Sequence, residues 1–356
     1  MNLRTAALIL IFLTTLCFTS KANDNPNLFG VSQVRGGVLL SEFNTQTNLI
    51  ENLSINRIDT DGLSNFEGVI LDNSYFFMST DQFGSPTTQL KSINLSTGEE
   101  SIAHNISSSQ LRAIVADPCS ETLIGLGIRN SMGAILVGFN PNTESLDTIS
   151  QNPIPFFENA SSFESFLNGD YYFKPRPTNQ LNGDRFISCV DVNTGEIIDT
   201  IETPDSDYQY FISNPSDNLI YGLITSFNAI SLFSLEVNSE TFSTISPSPI
   251  TIKGDIQPNG EIVDGVYYFT SFLINQQFLY AIDINSGSLI SETEISNTTI
   301  NFLAGKCECN YDIFSGNPIP TMSEWSIIVL SLLFLIISVV SLKVFQNSNI
   351  SAHEYY

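Results

Sequence analysis

Basic residues are scarce: 13 Lys and Arg stand against 37 Asp and Glu in 356 residues, a formal net charge of −24. A chain this acidic has no general electrostatic grip on a phosphate backbone, which excludes nucleic acid as a partner. Histidine is scarcer still. There are two, and one of them, His353, lies near the C-terminus. That leaves no His-rich metal site and only His104 for imidazole chemistry. His104 falls in an inter-blade stretch, His104-Asn105-Ile106-Ser107, and is expected at the surface. No Gly-rich phosphate loop, His-Glu-x-x-His or Gly-x-Ser-x-Gly pattern occurs, and a Ser/His/Asp triad has no second imidazole to draw on. No catalytic residue, metal or cofactor is therefore assigned. Between residues 24 and 310 no helical period appears. Charged residues are only 14% and hydrophobic ones 42%, the balance of a globular chain rather than a disordered one.

What is present begins at the two ends. Met1-Asn2-Leu3-Arg4 is followed by an apolar run from Ala6 to Phe18 and by Thr19-Ser20-Lys21-Ala22. A positive start, a short apolar stretch and a small-residue exit read as a signal peptide over residues 1–22. Cys17 belongs to that stretch; Thr15-Leu16 before it do not make a lipobox. Near the other end, Ile327 to Phe345 is apolar all round and long enough for a hydrocarbon core of about 30 Å. The expected transmembrane helix covers 323–345. Pro320 stops any upstream helix, Thr321 is the N-cap and Glu324 its capping-box partner. Trp325, the single tryptophan, falls at the interface level. A linker (311–322) precedes this helix and a short tail (346–356) follows it.

Ile319-Pro320-Thr321-Met322-Ser323-Glu324-Trp325 followed by an apolar span resembles the bacterial IPTL-CTERM type of C-terminal sorting segment. Met322 stands for the usual Leu, Ser326 for a frequent Gly, and Lys343 alone stands for the basic cluster that ends the family's segment. The sorting motif is then Ile319, Pro320, Thr321, Ser323, Glu324 and Trp325. The resemblance implies export, followed by retention or sorting at the cell envelope, with a sorting protease as a candidate partner. It says nothing about the work of the exported domain.

The middle is a repeat. Ile93-Asn94-Leu95-Ser96-Thr97-Gly98, Phe139-Asn140-Pro141-Asn142-Thr143-Glu144, Val190-Asp191-Val192-Asn193-Thr194-Gly195, Leu235-Glu236-Val237-Asn238-Ser239-Glu240 and Ile282-Asp283-Ile284-Asn285-Ser286-Gly287 recur at intervals of 45–52, with a weaker copy at Ser41-Glu42-Phe43-Asn44-Thr45-Gln46. Each is an alternating strand ending in a hairpin turn. Glu or Gln replaces Gly in three copies, from which a varying turn type is expected. A turn followed by an apolar strand precedes each copy, as in Asn168-Gly169-Asp170-Tyr171-Tyr172-Phe173 or Asn214-Pro215-Ser216-Asp217-Asn218-Leu219. Four antiparallel strands per repeat make a β-propeller blade. The expected domain is an all-β propeller over 24–310, with six blades of four strands. Its last blade pairs N-terminal Leu28–Val31 with C-terminal Thr299–Leu303, which removes two free sheet edges. Seven blades are the alternative, with Glu308–Phe314 adding a strand.

Propeller ligands bind at a mouth of the central channel, lined by the first strand of each blade. The polar residues there are Glu67, Arg112, Glu164, Gln209, Glu261 and Asn301, one per blade. Three carboxylates and a guanidinium converging there suit a cation or a polar ligand. Asp59-Thr60-Asp61-Gly62 fails the frame of a calcium loop and reads as an inter-blade turn. In an exported chain Cys119, Cys307 and Cys309 are candidates for a disulfide, the pairing left open, while Cys189 sits in an apolar strand and reads as a buried free thiol. The expected function is a binding module at the cell surface or in the periplasm. It is held to the membrane by its C-terminal helix and takes a protein or glycan of unknown identity. The alternative is an exported carboxylate-dependent hydrolase or lyase acting at the channel mouth.

Overall fold

The computed structural model describes residues 27–305 apart from 35–36, 48, 55, 61, 81–87, 105, 107–110, 118, 129–132, 155–158, 177–185, 206 and 296–298. The chain divides into two units, Met1–Asn310 and Tyr311–Tyr356. The signal peptide, the linker with its sorting motif, the transmembrane helix, the tail and the extra strand at Glu308–Phe314 lie outside the described residues. Among the described residues, no helix is long and apolar enough to cross a membrane.

The chain opens with β1 (Asn27–Val34), β2 (Gly37–Asn44), β3 (Leu49–Asn52) and the short β4 (Ile58–Asp59), which make blade 1. Blade 2 holds β5 (Gly62–Leu71), β6 (Ser74–Thr80), β7 (Thr88–Asn94) and β8 (Glu100–His104). Blade 3 holds β9 (Arg112–Asp117), β10 (Thr122–Ile128), β11 (Ala134–Asn140) and β12 (Ser145–Thr148). Blade 4 holds β13 (Asn159–Leu167), β14 (Asp170–Arg176), β15 (Phe186–Asp191) and β16 (Ile197–Glu202). Blade 5 holds β17 (Tyr208–Asn214), β18 (Leu219–Ser226), β19 (Ala229–Glu236) and β20 (Thr241–Thr244), with β21 (Ile250–Thr251) on β19. Blade 6 holds β22 (Asp255–Val263), β23 (Val266–Leu273), β24 (Gln276–Asp283) and β25 (Leu289–Ile295). All pairs are antiparallel, and in blades 2 to 6 sheet order follows chain order from the inside out. The architecture is a six-bladed β-propeller. β26 (Ile300–Ala304) lies on β1, with Val31 opposite Asn301 and Ser32 opposite Ile300.

Burial falls from the inside of each blade outward. In β6, Tyr75, Phe76, Phe77 and Met78 are all buried, because a second strand has a neighbouring blade on each face. Burying such a side chain is worth about 1.5–3 kcal/mol. The outer β16, Ile197–Glu202, is exposed at every position except Ile201. The stacked rings of Phe269 and Tyr280, with centroids 5.0 Å apart, join β23 to β24.

One expectation is refined here and one corrected. Where glycine is missing the repeated turn keeps its left-handed fourth position but changes its hydrogen bonding: Gly98, Gly195 and Gly287 donate their N–H to the carbonyls of Asn94, Asp191 and Asp283, whereas Glu240 donates to that of Val237. Glu144 and Glu240 take φ of 54° and 52°, in the same left-handed region as Gly98, Gly195 and Gly287. In blades 2, 3, 4 and 6 an Asx bond holds the turn: the side-chain Oδ1 of Asn94, Asn140, Asp191 and Asp283 accepts two backbone N–H groups just ahead of it, while blade 5 has Glu236 at that place. His104 is not at the surface. It is 4% exposed, edge-on to Phe139 of blade 3 at 4.8 Å, with Nε2 buried and without a hydrogen-bond partner. Burial holds it below the ordinary imidazole range, opposed by the charge of Glu144.

A second buried polar side chain is bonded through both its oxygen and its nitrogen. Gln277, 2% exposed, accepts the N–H of Ile300 at 2.7 Å and donates to its carbonyl at 2.6 Å. The side chain thus ties β24 to both backbone groups of one β26 residue.

Two measurements follow. Gln277→Leu strands the N–H and C=O of Ile300, at about 1–3 kcal/mol each, so urea unfolding should show a loss of about 2–5 kcal/mol. A loss under 0.5 kcal/mol would contradict the bond. For His104, the folded state holds the ring neutral while the unfolded chain protonates near pH 6.5, so this group's contribution to stability falls as pH drops below about 6.5. Between pH 6.5 and 5 the urea midpoint of His104→Phe should fall less than that of the wild type. Parallel curves would show that the imidazole is not what titrates.

Candidate functional site

The inner strands β5, β9, β13, β17, β22 and β26 each touch the next around the ring, and β5, β13 and β22 also touch across it. The channel is therefore narrow, and its lining is decided by these six strands. Every one of them carries a register break against its second strand. A bulge turns the strand and re-aims side chains. In β9 and β17 the break is held open by Ala113 and Tyr210 at φ of 56° and 58°, an unfavourable region for a residue with a Cβ.

Register places the sequence candidates. Arg112 is opposite Leu126, Gln209 opposite Leu223, and Asn301 opposite Val31. These three partners hold corresponding places on the second strands of blades 3, 5 and 1, so Arg112, Gln209 and Asn301 occupy one structural position, in alternate blades. Arg112 and Gln209 each stand immediately before the left-handed residue. The three glutamates do not share a position. Phe77, Phe173 and Phe269 are each the fourth residue of their strand; Glu67 falls in the bulge just ahead of Gly68, the partner of Phe77. Glu164 is the partner of Phe173 itself, and Glu261 is one step beyond, opposite Tyr268. All six lie within about two residue steps, or some 7 Å, along the channel. Because successive side chains of a strand alternate between faces, a one-step slip separates the carboxylates. The side chains of Glu67 and Arg112 lie outside the described set. Among the described residues, no three His, Cys, Asp or Glu side chains are grouped as a metal site.

Glu261 has a local use. Its carboxylate accepts the N–H of Ile262 at 2.9 Å and that of Gly305, just past the end of β26. A methyl group at Gly305 would lie 3.0 Å from the Glu261 Cγ and 2.7 Å from Val263, so the two chains are in close contact. Burial pushes the carboxyl up to about 7, against the pull of the two N–H groups. At neutral pH it is poised between acid and carboxylate, a property shared with proton-transfer groups. Its bonds nonetheless tie it to the junction of β22 with β26.

The cysteines divide. Cys119, in the turn between β9 and β10, is disulfide-bonded. Cys307 and Cys309 lie outside the described residues. Cys189 in β15 is a free, buried thiol that burial pushes up to about 12, so almost no thiolate forms near neutral pH. Sequence reasoning missed Gln277. The only signal was a second glutamine, after Gln276, at the head of a strand that is apolar from Phe278 to Ile282.

No family model and no curated protein matches the sequence. Solved structures do match in fold. TolB from Acinetobacter baumannii superposes with a TM-score of 0.58 at 10% identity, over 82% of this chain and 69% of that one. A protein described as a putative 6-phosphogluconolactonase from Bacteroides fragilis gives 0.50 at 11% identity, over 81% and 99%. An oligogalacturonate lyase in complex with manganese gives 0.47 at 13% identity, over 75% and 73%, too loose a match to bear on chemistry. At these identities the likeness is one of fold alone.

Glu261→Gln isolates the buried carboxyl. The folded state keeps its proton up to about pH 7, whereas the unfolded chain releases it near 4.5, so its contribution to stability falls as pH rises through that window. Urea unfolding should find the variant level with the wild type at pH 4.5 and more stable by about 1–3 kcal/mol at pH 8. A variant that gains nothing at pH 8 would show the carboxylate to be well solvated.

Proposed function

We propose that this protein is an exported propeller, held at the cell envelope by its C-terminal segment, that binds a protein or glycan at the channel mouth. The supporting observation is the shared position of Arg112, Gln209 and Asn301. Three polar residues stand at equivalent points of alternate inner strands, two of them on left-handed bulges whose backbone cost is of order 1–3 kcal/mol. A strained bulge with a polar residue beside it presents that residue for contact rather than for packing. In this reading the ring is sealed by β26 on β1, the signal peptide over 1–22 directs export, and the segment with Ile319, Pro320, Thr321, Ser323, Glu324 and Trp325 retains the protein or is cut by a sorting protease.

The raised proton affinity of Glu261 favours a second reading, a carboxylate-dependent hydrolase or lyase. The two backbone N–H groups on that carboxylate weigh against it, because a general acid or base must reach the substrate.

Thermal shift of the full-length protein against soluble glycans, peptides and divalent cations separates these readings. A true ligand at about 100 times its dissociation constant adds about 2.7 kcal/mol of stability. The binding reading expects a hit that is lost in Gln209→Ala plus Asn301→Ala. A hit indifferent to that variant removes the channel site. Turnover of a glycan that Glu164→Gln or Glu261→Gln abolishes would replace the binding reading with the enzymatic one. Deleting Thr321–Tyr356 should release the protein from the membrane fraction, and continued association would remove the anchor.

A further inference from the structure

The blades are not six equal repeats. Glycine in the turn between third and fourth strands alternates. Blades 2, 4 and 6 carry Gly98, Gly195 and Gly287, while blades 3 and 5 carry Glu144 and Glu240 at the same φ, and blade 1 has no glycine there. The turn conformation is thus not what calls for glycine. The neighbour is. A Cβ on Gly98, Gly195 or Gly287 would come within 2.2, 2.3 or 2.4 Å of the backbone of Leu53, Ser150 or Ser246 in the preceding blade. Turns of even blades press onto odd blades; the odd ones have room for a glutamate.

The contact is fastened by serine. Ser150 Oγ accepts the N–H of Leu136 at 2.9 Å and donates to the carbonyl of Gly195 at 2.9 Å. Ser246 Oγ accepts from Leu232 at 2.8 Å and donates to Gly287 at 2.9 Å. Ser54 Oγ accepts from Leu40 at 3.0 Å beside Gly98. Position 150 follows 54 by 96 residues, and 246 follows 150 by 96. The same spacing relates Tyr75, Tyr171 and Tyr267, each 0% exposed. Tyr171 of blade 4 donates its hydroxyl to the carbonyl of Ala113 in blade 3, and Tyr267 of blade 6 to that of Tyr210 in blade 5, both at 2.7 Å. Those acceptors are the two left-handed bulge residues of the inner strands.

Among the described residues, the joints between blades 2 and 3, 4 and 5, and 6 and 1 show no such repeated bonds. They hold apolar clusters, around Phe76 and Phe139, Tyr172 and Phe233, and Tyr268 and Phe43. Their polar ties differ from one to the next. Lys174 Nζ donates to the Tyr208 carbonyl between blades 4 and 5, but 96 residues either side stand Met78 and Thr270. Gln277 serves the joint of blades 6 and 1.

We infer that the propeller is three copies of a two-blade unit of about 96 residues, and that each pair (1 with 2, 3 with 4, 5 with 6) moves as one body: serine and tyrosine bonds fasten pairs 3–4 and 5–6, and Ser54 and Tyr75 stand at the equivalent places of pair 1–2. The ring has three rigid sectors and three softer joints. The bulge residue next to Arg112 or Gln209 accepts the hydroxyl of the partner blade's tyrosine. This holds whether or not the channel binds anything.

Hydrogen exchange of the full-length protein, read by mass spectrometry in low urea, tests it. Tyr171→Phe should speed exchange in both blade 3 and blade 4 by about tenfold, from the loss of one buried hydrogen bond, and leave blades 5 and 6 unchanged. Tyr267→Phe should do the same for blades 5 and 6 and spare 3 and 4. Where a tyrosine variant does not fold, Ser150→Ala and Ser246→Ala are read in the same way. Acceleration confined to one blade, or spread equally over all six, overturns the paired unit.

Discussion

Every blade of this protein is apolar on both faces, and the rest of the structure depends on that. Alternate side chains of β6 serve different neighbours: Tyr75 and Phe77 pack with Val38 and Leu40 of blade 1, while Phe76 and Met78 pack with Leu123 and Phe139 of blade 3. A strand so divided cannot bury itself in a single sheet. Each blade needs one on either side, and a linear stack would always leave two apolar faces in water. A closed ring removes both.

The pairing of β26 with β1 then has its own requirements. β26 is short, and a five-residue strand holds its place poorly on ladder bonds alone. Two side chains of blade 6 supplement them. Gln277 takes both backbone groups of Ile300, and Glu261 takes the N–H of Gly305 beyond the other end of the strand. The second of these is bound at a cost, because it desolvates a carboxyl that would otherwise be charged. Blade 6 thus carries the two side chains that hold β26 at its beginning and just past its end.

Much of this was legible in the residues. Strand alternation and the 45–52-residue recurrence identify blades because each blade is a local hairpin series. What could not be read arises between blades. The alternation of Gly195 with Glu144 and Glu240 is visible in the letters, but its cause is the backbone of Ser150 or Ser246 a blade away. His104 looks like a surface residue until Phe139 is placed against it. The three glutamates are 97 residues apart, against a structural period of 96, and that one-residue difference moves them off a common register. Numerical regularity in sequence was therefore a poor guide to the channel, whereas hydrogen-bond register was a good one.

The paired construction bears on what a channel ligand would meet. A sixfold ring of equal polar residues suits a symmetric ion. On the inner strands one register position instead recurs three times, as Arg112, Gln209 and Asn301, and the glutamates fall at staggered register positions. The three members of that set differ in charge and hydrogen-bonding character, a guanidinium and two amides. The sequence repeats Ser54, Ser150 and Ser246 and Tyr75, Tyr171 and Tyr267 at a spacing of 96 and varies the polar residues of the inner strands. Constancy in the fastenings is what allows that variation without loss of the ring.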